Sequence, residues 1–451
     1  MTIFNLHNRS AAIVAGAMMG VVSLFMAVDA AEAQTLFQPL TGPDAAANAN
    51  RESAAGTRNI RERLVRIDNN VLGRHMAPVG SDQAMDRQAR AQMLDGVVRL
   101  ELFPDVAETF NRTAVKAGPN GGYIWQGEVR GKVVHEALLL INNGAVTGRI
   151  QLEHRLFKIE HVSGQVHRIV EIDANSFPPE APPVSQPANR SQLQPRMAPP
   201  AQPDIQAQKK PAPLQPKTIT VLVAYTVNAA TEAGGAANLL SQIDVAVGLA
   251  NEAYGRAGVP ITLTLAATPI SIAYSESANP AVDLNALTTG TGVFAAIHNA
   301  RDTNSADLVS LFRKNDVNLC GIANFPGGGN MPVPSAATAS TGYSVMNWEC
   351  VMNLSFHHEM GHNMGLRHDN YVDPTGKGSK NYNHGYSNLK AKMRTVMAYN
   401  NECVSKGFNC TRINWFSSAK IKATGNVKIG AGGQDNSKRL GETYVAISAY
   451  R

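Results

Sequence analysis

The sequence predicts two folded units, a small β-rich one followed by an α/β one built on a mixed sheet. Three observations carry this. From about Val97 to Asp173, short runs of alternating polar and apolar side chains are separated by turn residues. From Thr218 onward, strand-like runs alternate with stretches of helical spacing. Between them, residues 176–217 become rich in proline. The 451 residues are 44% apolar and 17% charged, enough to bury sizeable cores and too apolar for a disordered chain.

In the first unit, Val98 to Leu102 and Thr147 to Leu152 alternate in the manner of half-buried strands. Gly121-Gly122, Gly131 and Asn143-Gly144 are turn signals, and the last fits a two-residue hairpin. Residues 34 to about 90 are polar and Ala-rich and give weak signals. The stretch 176–217 sets Pro178-Pro179, Pro182-Pro183, Pro199-Pro200, Pro211 and Pro213 among Gln, Ala and Ser. It reads as a semi-extended linker open to proteolytic nicking, with Lys209-Lys210 as a candidate cut.

In the second unit, Ile219 to Tyr225 reads as a strand. Leu239 to about Ala257 has helical spacing and stops at Gly258. Ile261 to Ala267, Ala306 to Phe312 and Tyr343 to Asn347 read as further strands. Helices are expected around 286–300 and from about Asn436, where Leu440, Tyr444 and Ile447 share a face.

The N-terminus has the pattern of an export signal. Arg9 precedes an apolar stretch from Ala11 to Val28, and Ala31, Glu32 and Ala33 form a small-x-small cleavage site. Domains are therefore expected at 1–33 (signal peptide), 34–175 (β-rich), 176–217 (linker) and 218–451 (α/β). A membrane anchor is the rival reading of the first segment, disfavoured by its Ala and Gly content. The export signal implies a chain outside the cytoplasm, periplasmic or extracellular, and no other segment is apolar enough to span a bilayer. The net charge of +6 is spread without a dense basic block, which argues against nucleic-acid binding. Four cysteines, Cys320, Cys350, Cys403 and Cys410, fit two disulfides in an exported chain. Three pairings exist; Cys320–Cys350 with Cys403–Cys410 is favoured because the second closes a short loop. No C-x-x-C spacing supports cysteine ligation of a metal.

The chemistry concentrates in residues 358–369. His358 and His362 are four apart, so on a helix both imidazoles face one ion. Glu359, beside the first, is placed to take a proton from a water on that ion. Gly365 lets the helix stop and the chain turn, returning His368 to the same point. Three neutral histidines leave one coordination position open, as a catalytic zinc site requires. Ser355 is the expected N-cap. His298, His357 and His384 fit no ligand role and read as structural.

This segment resembles the metzincin signature H-E-x-x-H-x-x-G-x-x-H. Asp369 after the third histidine is similar to the reprolysin (adamalysin) branch. Arg394 to Tyr399 resembles the family's Met-turn, with Met397 beneath the zinc. Together with Arg412-Ile413-Asn414, these residues look most like bacterial reprolysin-like enzymes of the peptidyl-Asp metalloendopeptidase type. The resemblance covers about 218–451, and Gly121 to Trp125 looks like the propeptide of the same group. It implies a mostly parallel twisted sheet with an active-site helix and a Met-turn. It also implies a zinc endopeptidase acting on proteins or peptides, one catalytic Zn2+, and Asp369 anchoring the base of the site. Tyr399 is implied at the oxyanion. Cleavage before an acidic residue is implied too, with Lys390, Lys392, Arg394 and Arg412 near the pocket-shaping segment; Arg394 and Arg412 are the candidate pocket residues. A structural Ca2+ has no supporting motif.

A prosegment ahead of such a site implies a zymogen with its own prodomain as inhibitor, activated by a cut in 176–217. Residues 34–217 contain no cysteine, so no thiolate blocks the metal. A monomer is expected. The rival from another class is a non-enzymatic binding protein or adhesin on the same scaffold; it predicts loss of Glu359 or a ligand, and all are present. A small-molecule zinc esterase or amidase is the other rival.

Overall fold

The computed structural model describes residues 35–40, 58–68, 71, 96–185, 213–316, 318–376 and 381–451. The expected signal peptide, most of the Pro-rich stretch and Lys209-Lys210 lie outside the described residues.

The first unit is a nine-stranded antiparallel sheet. Its strands are β1 (Phe37–Pro39), β2 (Asn59–Ile67), β3 (Val97–Phe103), β4 (Val106–Ala117), β5 (Tyr123–Glu128), β6 (His135–Asn142), β7 (Ala145–Leu152), β8 (Arg155–Ser163) and β9 (Val166–Ile172). The order is β1-β2-β9-β8-β7-β6-β5-β4-β3. The two edges meet: Thr35 bridges Arg99 in parallel and the Leu36 N–H donates to the Arg99 carbonyl at 3.1 Å. The sheet thus curls into a barrel, which removes exposed edges. Inward side chains include Phe110, Trp125, Leu139, Ile141, Ile150, Phe157 and Ile169. Outward ones such as Ile124, Leu138, Leu140 and Leu156 join the core of the second unit. Both faces of β6 are therefore buried, which explains its unbroken apolar run. β2 was hidden from sequence reading because Asn59–Ile67 carries four charged residues in nine.

The second unit holds β10 (Val184–Ser185), β11 (Lys217–Thr226), α1 (Val227–Glu232), α2 (Ala236–Arg256), β12 (Ile261–Leu265), β13 (Ile270–Ile272), α3 (Pro280–Thr289), α4 (Phe294–Thr303), β14 (Leu308–Arg313), β15 (Gly321–Phe325), β16 (Tyr343–Asn347), α5 (Ser355–Asn363), α6 (Asn401–Val404) and α7 (Asn436–Ile447). The strand order is β10-β15-β16-β14-β11-β12, with β13 also beside β11. All pairings are parallel except β15 with β16. Alternate residues of β11 divide the faces. Val221 and Val223 pack with α2, α5 and α7, while Leu222 and Ala224 pack with α3 and α4. This is the two-faced burial that parallel sheets require.

Three expectations need correction. The single helix expected at 286–300 is two, because Gly290 closes α3 in the left-handed region at φ 68°. β15 had not been expected at all. The Pro-rich stretch begins not as a free tether but as β10 and the residues before it, docked on β15: Val184 pairs with Asn324 and Ser185 with Phe325. Backbone hydrogen bonds to a sheet edge add to the apolar contacts of Phe177, Ala181 and Val184.

The barrel packs on α2. A Cβ on Gly248 would lie 2.7 Å from Ile124 Cδ1, so glycine permits the close approach. A charged network crosses the junction. Arg256 lies 2.6 Å from Glu136, 2.5 Å from Glu128 and 3.3 Å from Glu252. Arg149 of the barrel donates to the Met352 carbonyl at 2.9 Å.

Candidate metal centre

α5 places His358 and His362 one turn apart on one face. It does not start on Ser355 as an N-cap; Leu354, at φ 66°, is the capping position and has no side-chain bond to offer. The Ser355 hydroxyl is used elsewhere, as described below. α5 ends at Asn363. Gly365 follows at φ 87°, where any side chain would be strained, and the Leu366 N–H reaches back to the Gly361 carbonyl at 2.9 Å. The chain then runs beside 383–385: Arg367 N–H donates to the Asn383 carbonyl, and His384 Nδ1 bonds the His368 carbonyl at 2.8 Å. His384 thus steadies the third histidine, a task invisible in the motif spacing.

The three imidazoles converge. His368 Nε2 lies 3.2 Å from His358 Nε2 and 2.9 Å from His362 Nε2. The far nitrogens are occupied by carbonyls: His358 Nδ1 with Val396 and His362 Nδ1 with Leu366, both at 2.8 Å. A proton on each of these two Nδ1 atoms leaves the matching Nε2 lone pair free for a metal. Burial pushes all three rings well below the ordinary histidine range, His362 to about 4, so they are neutral. Three neutral imidazoles whose Nε2 atoms converge can direct their lone pairs onto one cation. Ligands held tetrahedrally at ~2.0–2.1 Å stand about 3.3 Å apart, close to what is seen. The donor set therefore fits a divalent metal ion, and among the described residues this trio is the group close enough to hold one.

Glu359 is fully buried beside them, and neither carboxyl oxygen has a hydrogen-bond partner. Burial, then the neighbouring Glu180 carboxylate, pushes it well above the usual range. Gly321 on β15 makes room for it: a Cβ there would lie 2.6 Å from Glu359 Oε1. Below the site, Met397 is buried and its sulfur lies under Gly361. Asp369 joins the two segments. Its Oδ2 accepts from the Tyr399 N–H at 2.7 Å and its Oδ1 from the Tyr371 N–H at 3.0 Å. The Tyr399 ring sits 4.2 Å from that of His368.

Of the four basic residues expected near the pocket, Lys390 and Lys392 face solvent. Arg412 turns inward. Its Nε donates to the Val396 carbonyl at 3.0 Å and its Nη1 to the Asn353 carbonyl at 2.7 Å. Its Nη2 also lies against that Val396 oxygen and 2.6 Å from His358 Nδ1. Arg394 holds the Ala398 carbonyl at 2.7 Å, and burial pushes its guanidinium down to about 9. Both line a cavity of about 90 Å³ with Phe177, Met352 and Asn353. Cys320 is bonded to Cys350 and Cys403 to Cys410.

A side chain that sequence reading missed completes the site. Glu180 is buried, with its Oε1 2.5 Å from Arg412 Nη1 and 2.8 Å from the Ser355 hydroxyl. The signal was present, a lone acid bracketed by Pro178-Pro179 and Pro182-Pro183.

A family model described as metallo-peptidase family M12B, reprolysin-like, matches residues 215–426. A peptidyl-Asp metalloendopeptidase of Stenotrophomonas maltophilia is 31% identical over 441 residues, covering 94% of this chain and 95% of that protein. The chain belongs to the reprolysin-like metallopeptidases. A second relative of this metallopeptidase, the peptidyl-Asp metalloendopeptidase of Xanthomonas campestris pv. campestris, is 31% identical, with 76% of this chain and 79% of its own covered. Among solved structures, metalloproteinase-II from Bacteroides fragilis aligns over 64% of this chain and 87% of its own, at 12% identity and TM-score 0.39. As a member of this family, the chain acts on peptide bonds of proteins or peptides. No helix among its described residues is long and apolar enough to cross a membrane.

Proposed function

We propose that the chain is a secreted zinc endopeptidase of the metzincin type, made as a zymogen, that cuts on the N-terminal side of acidic residues. The observation that carries the reading is the three-histidine cluster with an unpartnered Glu359 carboxyl beside it. His358, His362 and His368 hold the ion. When bound, zinc supplies the positive charge that brings the pKa of a water to about 7 and polarises the scissile carbonyl. Glu359 takes the proton of the attacking water and returns it to the leaving amine. Its burial and missing partners keep it basic enough for that exchange. The Tyr399 hydroxyl, beside His368, is a donor for the oxygen of the scissile carbonyl as charge builds there. Met397 supplies the apolar floor and Asp369 locks the His368 loop to the Met397 segment, so the ligands are held before any ion arrives.

The acidic preference rests on Arg412. Its guanidinium is fixed by two backbone carbonyls and has a donor left over that points to a carboxylate. The relatives' name, peptidyl-Asp metalloendopeptidase, supports the same reading. Export rests on the leader pattern and two disulfides. The barrel and the parallel sheet support limits of about 34–175 for the prodomain and 218–451 for the protease.

The decisive experiment is Glu359→Ala. It should keep one zinc per chain and lose casein hydrolysis; cleavage at the wild-type rate sinks the assignment. A peptide-library digest by the activated wild-type enzyme tests the preference, and sites without enrichment of Asp or Glu after the cut reject it.

A further inference from the structure

We propose that residues 179–185 form a pseudosubstrate strap, in which Glu180 silences the enzyme by filling the pocket that Arg412 and Ser355 build for an acidic side chain. The proposal rests on the acidic preference argued above and names what regulates the same site.

The strap takes the place of an extended peptide. β15 has β16 on one side and the strap on the other. The Ala181 N–H donates to the Gly321 carbonyl, and the Cys320 N–H to the Pro179 carbonyl, both at 2.8 Å. Gly321 is the residue whose missing side chain leaves room for Glu359. The strap therefore crosses the site at its reacting end. There Glu180 is claimed twice. Its carboxylate takes Arg412 and Ser355. Its carbonyl accepts from the Tyr399 hydroxyl, the donor assigned above to the scissile carbonyl. A substrate would need each of these groups.

The pocket belongs to the protease and not to the strap. Arg412 is oriented by Val396 and Asn353, and Ser355 by its place at the start of α5. A buried arginine so placed needs an anion, and a single carboxylate in the correct position is worth far more than a surface pair. Being tethered, the strap also acts at high effective concentration. Its upstream end is held as well: Arg58, just before β2, lies 2.5 Å from Glu349, and the Asp173 N–H donates to the Arg58 carbonyl at 2.9 Å.

A consequence follows for activation. A cut downstream of Ser185 leaves the strap joined to the barrel, and the barrel is held on α2 by the network around Arg256. The nick alone does not clear the site; the barrel must also leave or be destroyed.

The test uses the full chain, kept uncut and checked on a gel. Wild type, Glu180→Ala, Glu180→Gln and Glu180→Asp are compared on a quenched peptide with Asp after the scissile bond. Hydrogen exchange over 177–185 gives a readout independent of turnover. Glu180→Ala and Glu180→Gln should raise the activity of the uncut chain roughly tenfold or more and speed exchange at Ala181; Glu180→Asp should stay nearer wild type. Uncut Ala and Gln variants as silent and as protected as wild type overturn the strap. The library digest of the activated wild-type enzyme is scored separately. Acidic enrichment with silent variants rejects the strap alone. Unlocked variants without acidic enrichment reject the substrate reading and leave Glu180 a latch that mimics nothing.

Discussion

The sulfur of Met397 lies directly beneath Gly361: a Cβ on that glycine would stand 2.8 Å from Sδ. Gly361 sits in the last turn of α5, where glycine costs up to about 1 kcal/mol of helix stability relative to alanine. The contact explains why it is there. Gly361→Ala gains that propensity but forces the buried methionine aside, an overpacking that costs about 1–3 kcal/mol. Net stability should fall by no more than about 2 kcal/mol, while peptidase activity falls roughly tenfold because the floor under His358 and His362 shifts. Thermal melts beside initial rates check this; equal activity would show that Met397 positions nothing.

A second glycine sets the position of Glu359, the proposed general base. At Gly321 a Cβ would lie 2.6 Å from Glu359 Oε1 and 2.9 Å from its Cγ. Gly321→Ala should displace the carboxylate, lowering kcat about a hundredfold, with KM and zinc content near wild type. A matching loss of zinc would mean that the histidines, not Glu359, had moved.

These glycines mark the limit of what the residues alone reveal. The metal cluster is legible because its members are neighbours on a helix and a turn, so spacing stands in for geometry. Gly365 was readable for the same reason. Gly321, Glu180 and Arg412 meet only through the fold, and Glu180 is 232 positions from its arginine. Ser355 misled because local capping rules ignore a partner 175 residues away. Lys390, Lys392, Arg394 and Arg412 were equivalent as letters, and the direction each points separates them. The alternating strands of the barrel could be read, but not its closure, which depends on Thr35 meeting Arg99.

The barrel should weaken in mild acid through His167. This ring is fully buried; its Nε2 accepts from the Val146 N–H at 2.9 Å and its Nδ1 bonds the Gln165 carbonyl at 2.9 Å. Burial pushes it down to about 4. Unfolded histidine titrates near ~6.5, so between those values the unfolded chain binds a proton that the native one refuses. Stability then falls as pH drops from about 6.5 to about 4, by at most about 3 kcal/mol, and this component levels off below. Urea midpoints of wild type minus His167→Gln between pH 7 and 4.5 isolate the effect. A difference that does not vary with pH would refute it.

Arg256 should decide whether the barrel stays after the chain is nicked. It is surrounded by Glu128, Glu136 and Glu252, and burial raises Glu252 while Arg256 opposes the rise. Removing it leaves buried carboxylates without their cation, a loss of about 3–5 kcal/mol. After limited proteolysis in 186–212, the wild-type barrel should co-elute with the protease on gel filtration, whereas in Arg256→Ala it should separate. Co-elution of both would assign the junction to the apolar contacts around Ile124 and Gly248.

Metal removal should cost stability as well as activity. His368 Nε2 lies 2.9 Å from that of His362 and 3.2 Å from that of His358, a convergent donor set that a bound cation holds together. Binding to the native state alone stabilises by about 4 kcal/mol when free metal is a thousandfold above Kd. For a protein of this size that shifts Tm by several degrees. Chelation should therefore lower Tm, and zinc should restore it in wild type and in Glu359→Ala alike, since Glu359 is proposed as a base and not as a ligand. Replacing His368 by Ala should abolish both the shift and its rescue. A chelator that stops turnover but leaves Tm unmoved would show that the histidines are held by the fold alone.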